Sequence, residues 1–284
     1  VTDDPKTLVS TEWLAGHLDD PGLRILDASW HMPAAGRDAR TEYATAHIPD
    51  AQFFDIDAVA DPDTDLPHML PTPEAFARAV SALGIGDGDQ VVIYDDAATH
   101  SAARAWWTFR AMGYDRVAVL DGGLAKWRAE GRPVTEAVTA APKAHLTANL
   151  RPDLIRDAAQ VAEASAQGSA QIIDARAADR FRGEAPEPRP GLTSGHMPGA
   201  KNLPFGQLYR PDGTMKDADA LRAAFADAGV DLSRPAITSC GSGITAASLS
   251  LALERLGHRN HSLYDGSWAE WGALPNVKTA TGDA

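Results

Sequence analysis

The most reactive chemistry in the chain is held by one hexapeptide, Cys240-Gly241-Ser242-Gly243-Ile244-Thr245. Its cysteine is the only one among 284 residues. The short apolar run 235–239 precedes it, and the Ala-, Leu- and Ser-rich segment 246–256 follows. The run reads as a buried strand, and the segment as a helix closed by Gly257. The thiol therefore stands where a strand ends and a helix begins. The first turn of a helix has unpaired N–H groups and a partial positive charge, and the N–H groups of a tight Gly-rich loop can converge on an anion. Such surroundings favour a thiolate, the form that attacks. Gly241 and Gly243 let the backbone curl with no Cβ in the way, and Ser242 adds a hydroxyl. A lone cysteine after an apolar run is otherwise a small buried hydrophobe. The loop and helix around Cys240 argue against that plain role.

Two further groups can carry chemistry. The stretch 179–191 is Pro-rich and basic, which predicts an extended loop holding Arg180 and Arg189 at fixed spacing. Arginine forks match a carboxylate bidentately. Glu184 and Glu187 lie close by in sequence, so a surface ion-pair loop explains the same residues equally well. In the first half, Asp55 and Asp57 precede His68, and an acid and a histidine can orient one another and Ser242 in a proton relay across a domain interface. Loop Asp and His residues also commonly serve as caps or are simply solvated. Trp30, at a strand end, can wall a pocket. Ala246 stands six positions after Cys240, where cysteine-dependent phosphatases need an arginine, which argues against phosphate-ester chemistry.

Composition narrows the class. A net charge of −13 argues against nucleic acid and anionic membrane as partners. One cysteine forms no internal disulfide and no metal-type cysteine cluster. No apolar run is long enough to span a bilayer, and the start of the chain lacks a basic-then-hydrophobic signal. A cytoplasmic protein is the simplest expectation.

The elements that must position these residues are written twice. Leu23–Asp27, Gln90–Asp95 and Arg116–Asp121 read as strands, and Glu74–Leu83 and Ser101–Met112 as helices. Ile172-Ile173-Asp174 echoes Ile25-Leu26-Asp27, and Gly195-His196-Met197-Pro198 echoes Ala46-His47-Ile48-Pro49. The run ending at Cys240 echoes Val91–Asp95, and Tyr264–Trp271 echoes Leu120–Trp127. The repeat offset is roughly 145 residues. Two copies of one α/β domain follow, each a mostly parallel sheet with helices on both faces. The boundaries expected are 1–136, a linker over 137–151, and 152–284. Ligands on such sheets bind beyond the carboxyl ends of the strands, where Cys240 lies. Features present in both halves, such as His47 with His196 and Trp127 with Trp271, read as scaffold. Trp106 and Trp107 read as core. Cys240 has Asp95 as its counterpart, so the first copy lacks the nucleophile.

These motifs carry a resemblance. Asp27-Ala28-Ser29-Trp30, the run 36–40, the run 53–57, His68-Met69-Leu70-Pro71, Leu120-Asp121-Gly122-Gly123, Pro186-Glu187-Pro188-Arg189 and the run 195–200 are similar to the tandem-domain rhodanese family over nearly the whole chain. Thiosulfate-type members carry an Arg and a Lys after the cysteine. Mercaptopyruvate-type members carry Cys-Gly-Ser-Gly-Val-Thr, from which this chain departs only by Ile244. The resemblance implies transfer of sulfur from 3-mercaptopyruvate, through a persulfide on Cys240, to a thiol acceptor such as thioredoxin, or to cyanide, with release of pyruvate and no cofactor. It implies that Arg180 and Arg189 hold the substrate, that Gly241, Gly243, Ile244 and Thr245 line the sulfur cradle with Trp30 near by, and that Ser242, His68 and Asp57 form a relay. The alternatives are a thiosulfate sulfurtransferase and a persulfide carrier that loads one sulfur and turns over little.

Overall fold

The computed structural model describes residues 2–283. They form two compact units. The first comprises the chain up to Asp61, Leu70–Arg151 and Arg210–Met215; the second comprises Pro62–Met69, Pro152–Tyr209 and the chain from Lys216 onward.

The first unit contains β1 (Leu8–Val9), α1 (Thr11–His17), β2 (Leu23–Asp27), α2 (Ala39–Thr45), β3 (Gln52–Phe53), α3 (Ile56–Val59), α4 (Pro73–Ala82), β4 (Gln90–Tyr94), α5 (Ala102–Ala111), β5 (Val117–Leu120) and α6 (Gly123–Ala129). The second contains β6 (Ile155–Arg156), α7 (Ala158–Gln167), β7 (Gln171–Asp174), α8 (Ala178–Arg182), β8 (Lys201–Asn202), α9 (Ala218–Asp227), β9 (Ala236–Ser239), α10 (Ala246–Arg255), β10 (His261–Tyr264) and α11 (Ser267–Trp271). Each unit has a five-stranded sheet, in the order β1-β5-β4-β2-β3 and β6-β10-β9-β7-β8. Every pairing is parallel. The fold expected from the doubled pattern is the fold observed.

The central strands β4, β5, β9 and β10 are buried along almost their whole length because both faces of the sheet are covered. Val92 and Tyr94 of β4 pack with Leu14, Tyr43 and Trp127, so Val91 and Ile93 point to the opposite face. The helix starts are capped as their sequences dictate. Ser10 Oγ accepts from Trp13 N–H at 3.0 Å, and Thr72 Oγ1 accepts from Ala75 N–H at 3.2 Å with Pro73 at the first helical position. Gly257, with φ of 77°, follows α10 in the left-handed region.

The scaffold residues shared by the two halves do shared work. His47 Nδ1 donates to Tyr43 O at 2.7 Å and its ring stacks on Tyr43. His196 Nδ1 donates to Phe181 O at 2.8 Å and its ring stacks on Phe181. Each histidine also bridges to a later segment, His47 to Thr135 and His196 to Ala280. Trp127 and Trp271 are buried, and each indole N–H donates to a backbone carbonyl, of Pro133 and Lys278 respectively. Trp106 and Trp107 are buried in α5.

Two segments differ from their sequence reading. Residues 137–151 have no helix or strand, but they are strapped to the first unit. Asp87 N–H donates to His145 O, and Asn149 and Arg151 N–H donate to Met112 O and Ala111 O. Leu146 of the strap is 1% exposed. The second difference is at 179–191, where the first part is not an extended loop. Ala178–Arg182 form the short helix α8, ended by Gly183 at φ of 77°. The prolines stiffen only the part beyond it.

The repeat exposes one electrostatic asymmetry. Asp174, at the end of β7, is met by the Arg176 guanidinium. Its counterpart Asp27 is followed by Ser29 at that position, which brings a hydroxyl in place of a guanidinium. Burial pushes the Asp27 carboxyl up to about 6, against the Ser29 hydrogen bonds that hold it down. An unfolded Asp titrates near 4. Folding therefore retains a proton that the unfolded chain has lost, and this residue's contribution falls as pH rises from about 4 to 6. The variant Asp27→Asn removes that titration. It should gain about 1–3 kcal/mol above pH 6, with the gain shrinking toward pH 4. Urea unfolding across that range measures it, and a gain independent of pH would exclude the assignment.

Candidate active site

The second unit builds its candidate site at the corner where β9 ends and α10 begins. The loop between them is Cys240–Thr245. Cys240 is 2% exposed, whereas Gly241 and Thr245 are partly exposed. The loop thus reaches the surface with its cysteine tucked beneath. Ser242 and Ile244 are buried at 6% and 2% exposure. Gly243, with φ of 82°, supplies the left-handed turn. Gly241 has an ordinary φ; its value lies in the missing side chain, because a Cβ there would stand 3.2 Å from Arg180 Nη2.

The backbone of the cysteine is held by α11. Cys240 O accepts from Trp268 N–H at 2.9 Å, and Gly241 O accepts from Ala269 N–H at 2.8 Å. Cys240 N–H donates to Ser267 Oγ at 3.2 Å, and that hydroxyl donates to Tyr264 O at 2.9 Å.

The matching corner of the first unit shows what such a corner holds. Asp95 replaces the cysteine, and its Oδ2 accepts from Ala102 N–H, the first residue of α5, at 2.6 Å. Ala97 N–H reaches Oδ1 at 3.3 Å. Burial pushes this carboxyl up to about 6, with those amides acting against the rise. In the first unit the strand–loop–helix corner thus directs backbone N–H groups at the side chain in this position.

Arg180 is carried by α8 and lies against the loop at Gly241. It is fixed from behind by Glu187, whose side chain is 2% exposed. Glu187 pairs with both Arg180 and Arg176, the latter at 2.7 Å. Arg176 is itself 1% exposed, pairs with Asp174 at 2.7 Å and stacks over the Trp268 ring at 4.2 Å. The ion-pair reading of Glu187 is thus correct as to pairing and wrong as to exposure: the pair is internal and aims Arg180 at the loop. Arg189 sits half-buried in the bend that follows.

The remaining candidates are distributed between the units. His68 belongs to the second unit, is 6% exposed and has φ of 63°, a conformation that non-glycine residues rarely hold. Asp57 lies in α3 of the first unit, where its Oδ2 accepts from Trp30 Nε1 at 3.0 Å. Trp30 N–H donates to Ser101 Oγ at 3.0 Å and its carbonyl accepts from Thr99 Oγ1 at 2.9 Å. Arg176 and Ser267 escaped sequence reasoning. The signal was in the repeat, which has Ser29 and Gly123 at their places.

Among the described residues no group of three or more His, Cys, Asp or Glu side chains could hold a metal, and no helix is long and apolar enough to cross a membrane.

A family model described as "Rhodanese-like domain" matches residues 10–130 and 157–274, one stretch in each half. The 3-mercaptopyruvate sulfurtransferase of Escherichia coli K12 is 45% identical over 270 residues, covering 95% of this chain and 96% of its own length. The mitochondrial thiosulfate/3-mercaptopyruvate sulfurtransferase 1 of Arabidopsis thaliana is 44% identical over 292 residues, covering 95% and 77%. The crystal structure of SseA, a 3-mercaptopyruvate sulfotransferase from Escherichia coli, superimposes with a TM-score of 0.84 at 43% identity, covering 93% of this chain and 99% of that one. The doubled sheet, the single cysteine at its strand–helix corner and these full-length likenesses have one meaning: the chain belongs to the rhodanese family, as a tandem-domain sulfurtransferase of the rhodanese type.

Proposed function

We propose that this chain takes the sulfur of 3-mercaptopyruvate onto Cys240 and passes it to a thiol. The observation that carries the reading is the Arg180 guanidinium packed against Gly241, one residue from the cysteine. An arginine or lysine at 241, as in thiosulfate-type loops, would push a second cation into the space Arg180 fills. With glycine there, charge recognition falls to the forks of Arg180 and Arg189, which suit the planar carboxylate and carbonyl of a keto acid. The Escherichia coli relative is named for this donor, and the Arabidopsis thaliana relative for both thiosulfate and 3-mercaptopyruvate.

In the first half-reaction the Cys240 thiolate attacks the substrate sulfur. The new S–S bond forms as the C–S bond breaks, and the bond's electron pair leaves on carbon as the enolate of pyruvate. Arg180 and Arg189 stabilise the developing charge. A proton must reach the enolate carbon, and Ser242 with His68 is assigned to deliver it. Asp57 is the third member of this relay in the family pattern. The outer sulfur remains on Cys240 as a persulfide, cradled by amides of residues 241–245. In the second half-reaction an acceptor thiolate attacks that outer sulfur and Cys240 leaves as thiolate. With a dithiol acceptor such as thioredoxin, the second thiol expels hydrosulfide and closes a disulfide; with cyanide the product is thiocyanate.

Three measurements test this. Intact-mass spectrometry after addition of 3-mercaptopyruvate should show one added sulfur, lost in Cys240→Ser; an unmodified wild-type protein would refute the mechanism. Run in parallel, thiosulfate should be the poorer donor, and if it turns over faster the reading of Gly241 and Arg180 is wrong. Removing either arginine fork, as Arg180→Ala or Arg189→Ala, should raise KM for 3-mercaptopyruvate by about ten- to a hundredfold, the worth of a charged hydrogen bond. An unchanged KM for either variant would remove that arginine from the substrate.

A further inference from the structure

Ser267 has a backbone conformation that its residue type resists. Its φ is 49°, in the left-handed region, and it is not a glycine. It is fully buried, at the first position of α11. The repeat supplies an internal control. The matching residue of the first unit is Gly123, with φ of 56°, and a Cβ on Gly123 would collide with Asp95 O. Both units therefore need the same unusual turn, and the first makes it with the residue that adopts it without strain. The second unit accepts a side chain there. Strain of this kind persists when the surroundings enforce it, and it clusters where position matters for function.

The Ser267 side chain shows what the strain supports. Its Oγ accepts from Cys240 N–H at 3.2 Å and donates to Tyr264 O at 2.9 Å. The next residue, Trp268, gives its N–H to Cys240 O at 2.9 Å. Adjacent residues of one turn thus grip the cysteine's backbone through both its N–H and its C=O. The first unit keeps only one half of this grip. Leu124 N–H still donates to Asp95 O at 2.9 Å, but Gly123 has no hydroxyl to offer the amide. The hydroxyl occurs in the copy that has the cysteine. Asp95 is held through its own carboxylate by Ala102 N–H; a thiol has no second oxygen with which to fix itself, so its backbone must be fixed instead.

We propose that Ser267 is a positioning residue for the nucleophile: its strained backbone places Oγ on the Cys240 amide, and this sets the direction in which Sγ leaves the chain toward the loop amides. The inference rests on Cys240 being the sulfur-accepting residue. Ser267 touches neither substrate nor transferred sulfur in this role.

The strain and the hydrogen bond separate in two variants. Ser267→Gly gives up the hydroxyl and relieves the strain, reproducing the first unit's own solution at Gly123. Ser267→Ala gives up the hydroxyl and keeps the strain. If Ser267 positions the cysteine, both should slow alkylation of Cys240 by iodoacetamide and loading of sulfur from 3-mercaptopyruvate by about tenfold, the scale of one hydrogen bond. KM should be unaffected in both. Their melting temperatures should diverge, with Ser267→Gly more stable than Ser267→Ala. A purely structural role would instead make reactivity follow stability. Alkylation within twofold of wild type in Ser267→Gly would overturn the inference while leaving sulfur transfer through Cys240 standing. Wild-type protein that neither loads sulfur nor alkylates at Cys240 would overturn both. Because alkylation needs no substrate, the two failures are distinguishable.

Discussion

The peptide at Cys240 is gripped through both its polar groups by the first turn of α11, and the candidate site follows from that grip. Cys240 is 2% exposed, so its N–H and C=O cannot be satisfied by bulk water and must find partners inside. They find them in Ser267 Oγ and Trp268 N–H. With the backbone fixed there, β9 can end abruptly, the loop can turn through Gly243, and α10 can begin at the same corner. A cysteine in a mobile loop would have the same chemistry and far less control over direction, and orientation is a large part of what a nucleophilic site contributes.

The second constraint is charge. Asp174, Arg176, Glu187 and Arg180 form a chain of alternating sign, and its inner three members are all but inaccessible. Burying such groups costs several kcal/mol per ion unless each meets an opposite charge in good geometry. Arg176 meets that condition through a fork on Asp174, a bond to Glu187, a bond to Gly195 O and the face of Trp268. Arg180, at the end of the chain, is partly accessible, with side-chain exposure of 22%. The network therefore delivers one preorganised cation to the loop in a protein whose net charge is −13. The local field at the loop is thus opposite in sign to that of the molecule as a whole.

Duplication separates architecture from chemistry within a single chain. The stacked His47 and His196, the indole bonds of Trp127 and Trp271 and the strand order recur in both units, and they hold sheet to helix in each. What differs is concentrated at the carboxyl ends of the strands. Asp95 stands where Cys240 does, Ser29 where Arg176 does, and Gly123 where Ser267 does. The first unit keeps the corner and fills it with its own carboxylate, and it has Ser29 where the second unit's cationic network has Arg176.

The doubled α/β fold and the strand–loop–helix corner were legible in the sequence. Apolar periodicity, capping residues and a single cysteine are local properties, and a repeat read at an offset of roughly 145 residues makes each half a test of the other. The partners of the functional residues were not legible. Glu187 reads as a solvated acid beside prolines, and only the packing of α8 and its following bend against β7 shows that it is buried between two arginines. Arg180 reads as part of an extended loop, because a five-residue helix lies below the length at which periodicity can be seen. Ser267 differs from Gly123 in plain view, but its meaning depends on a φ angle and on an amide 27 residues earlier in the chain. Contacts between residues distant in sequence are set by how elements dock, and docking is a property of the assembled sheet and helices that no local pattern encodes.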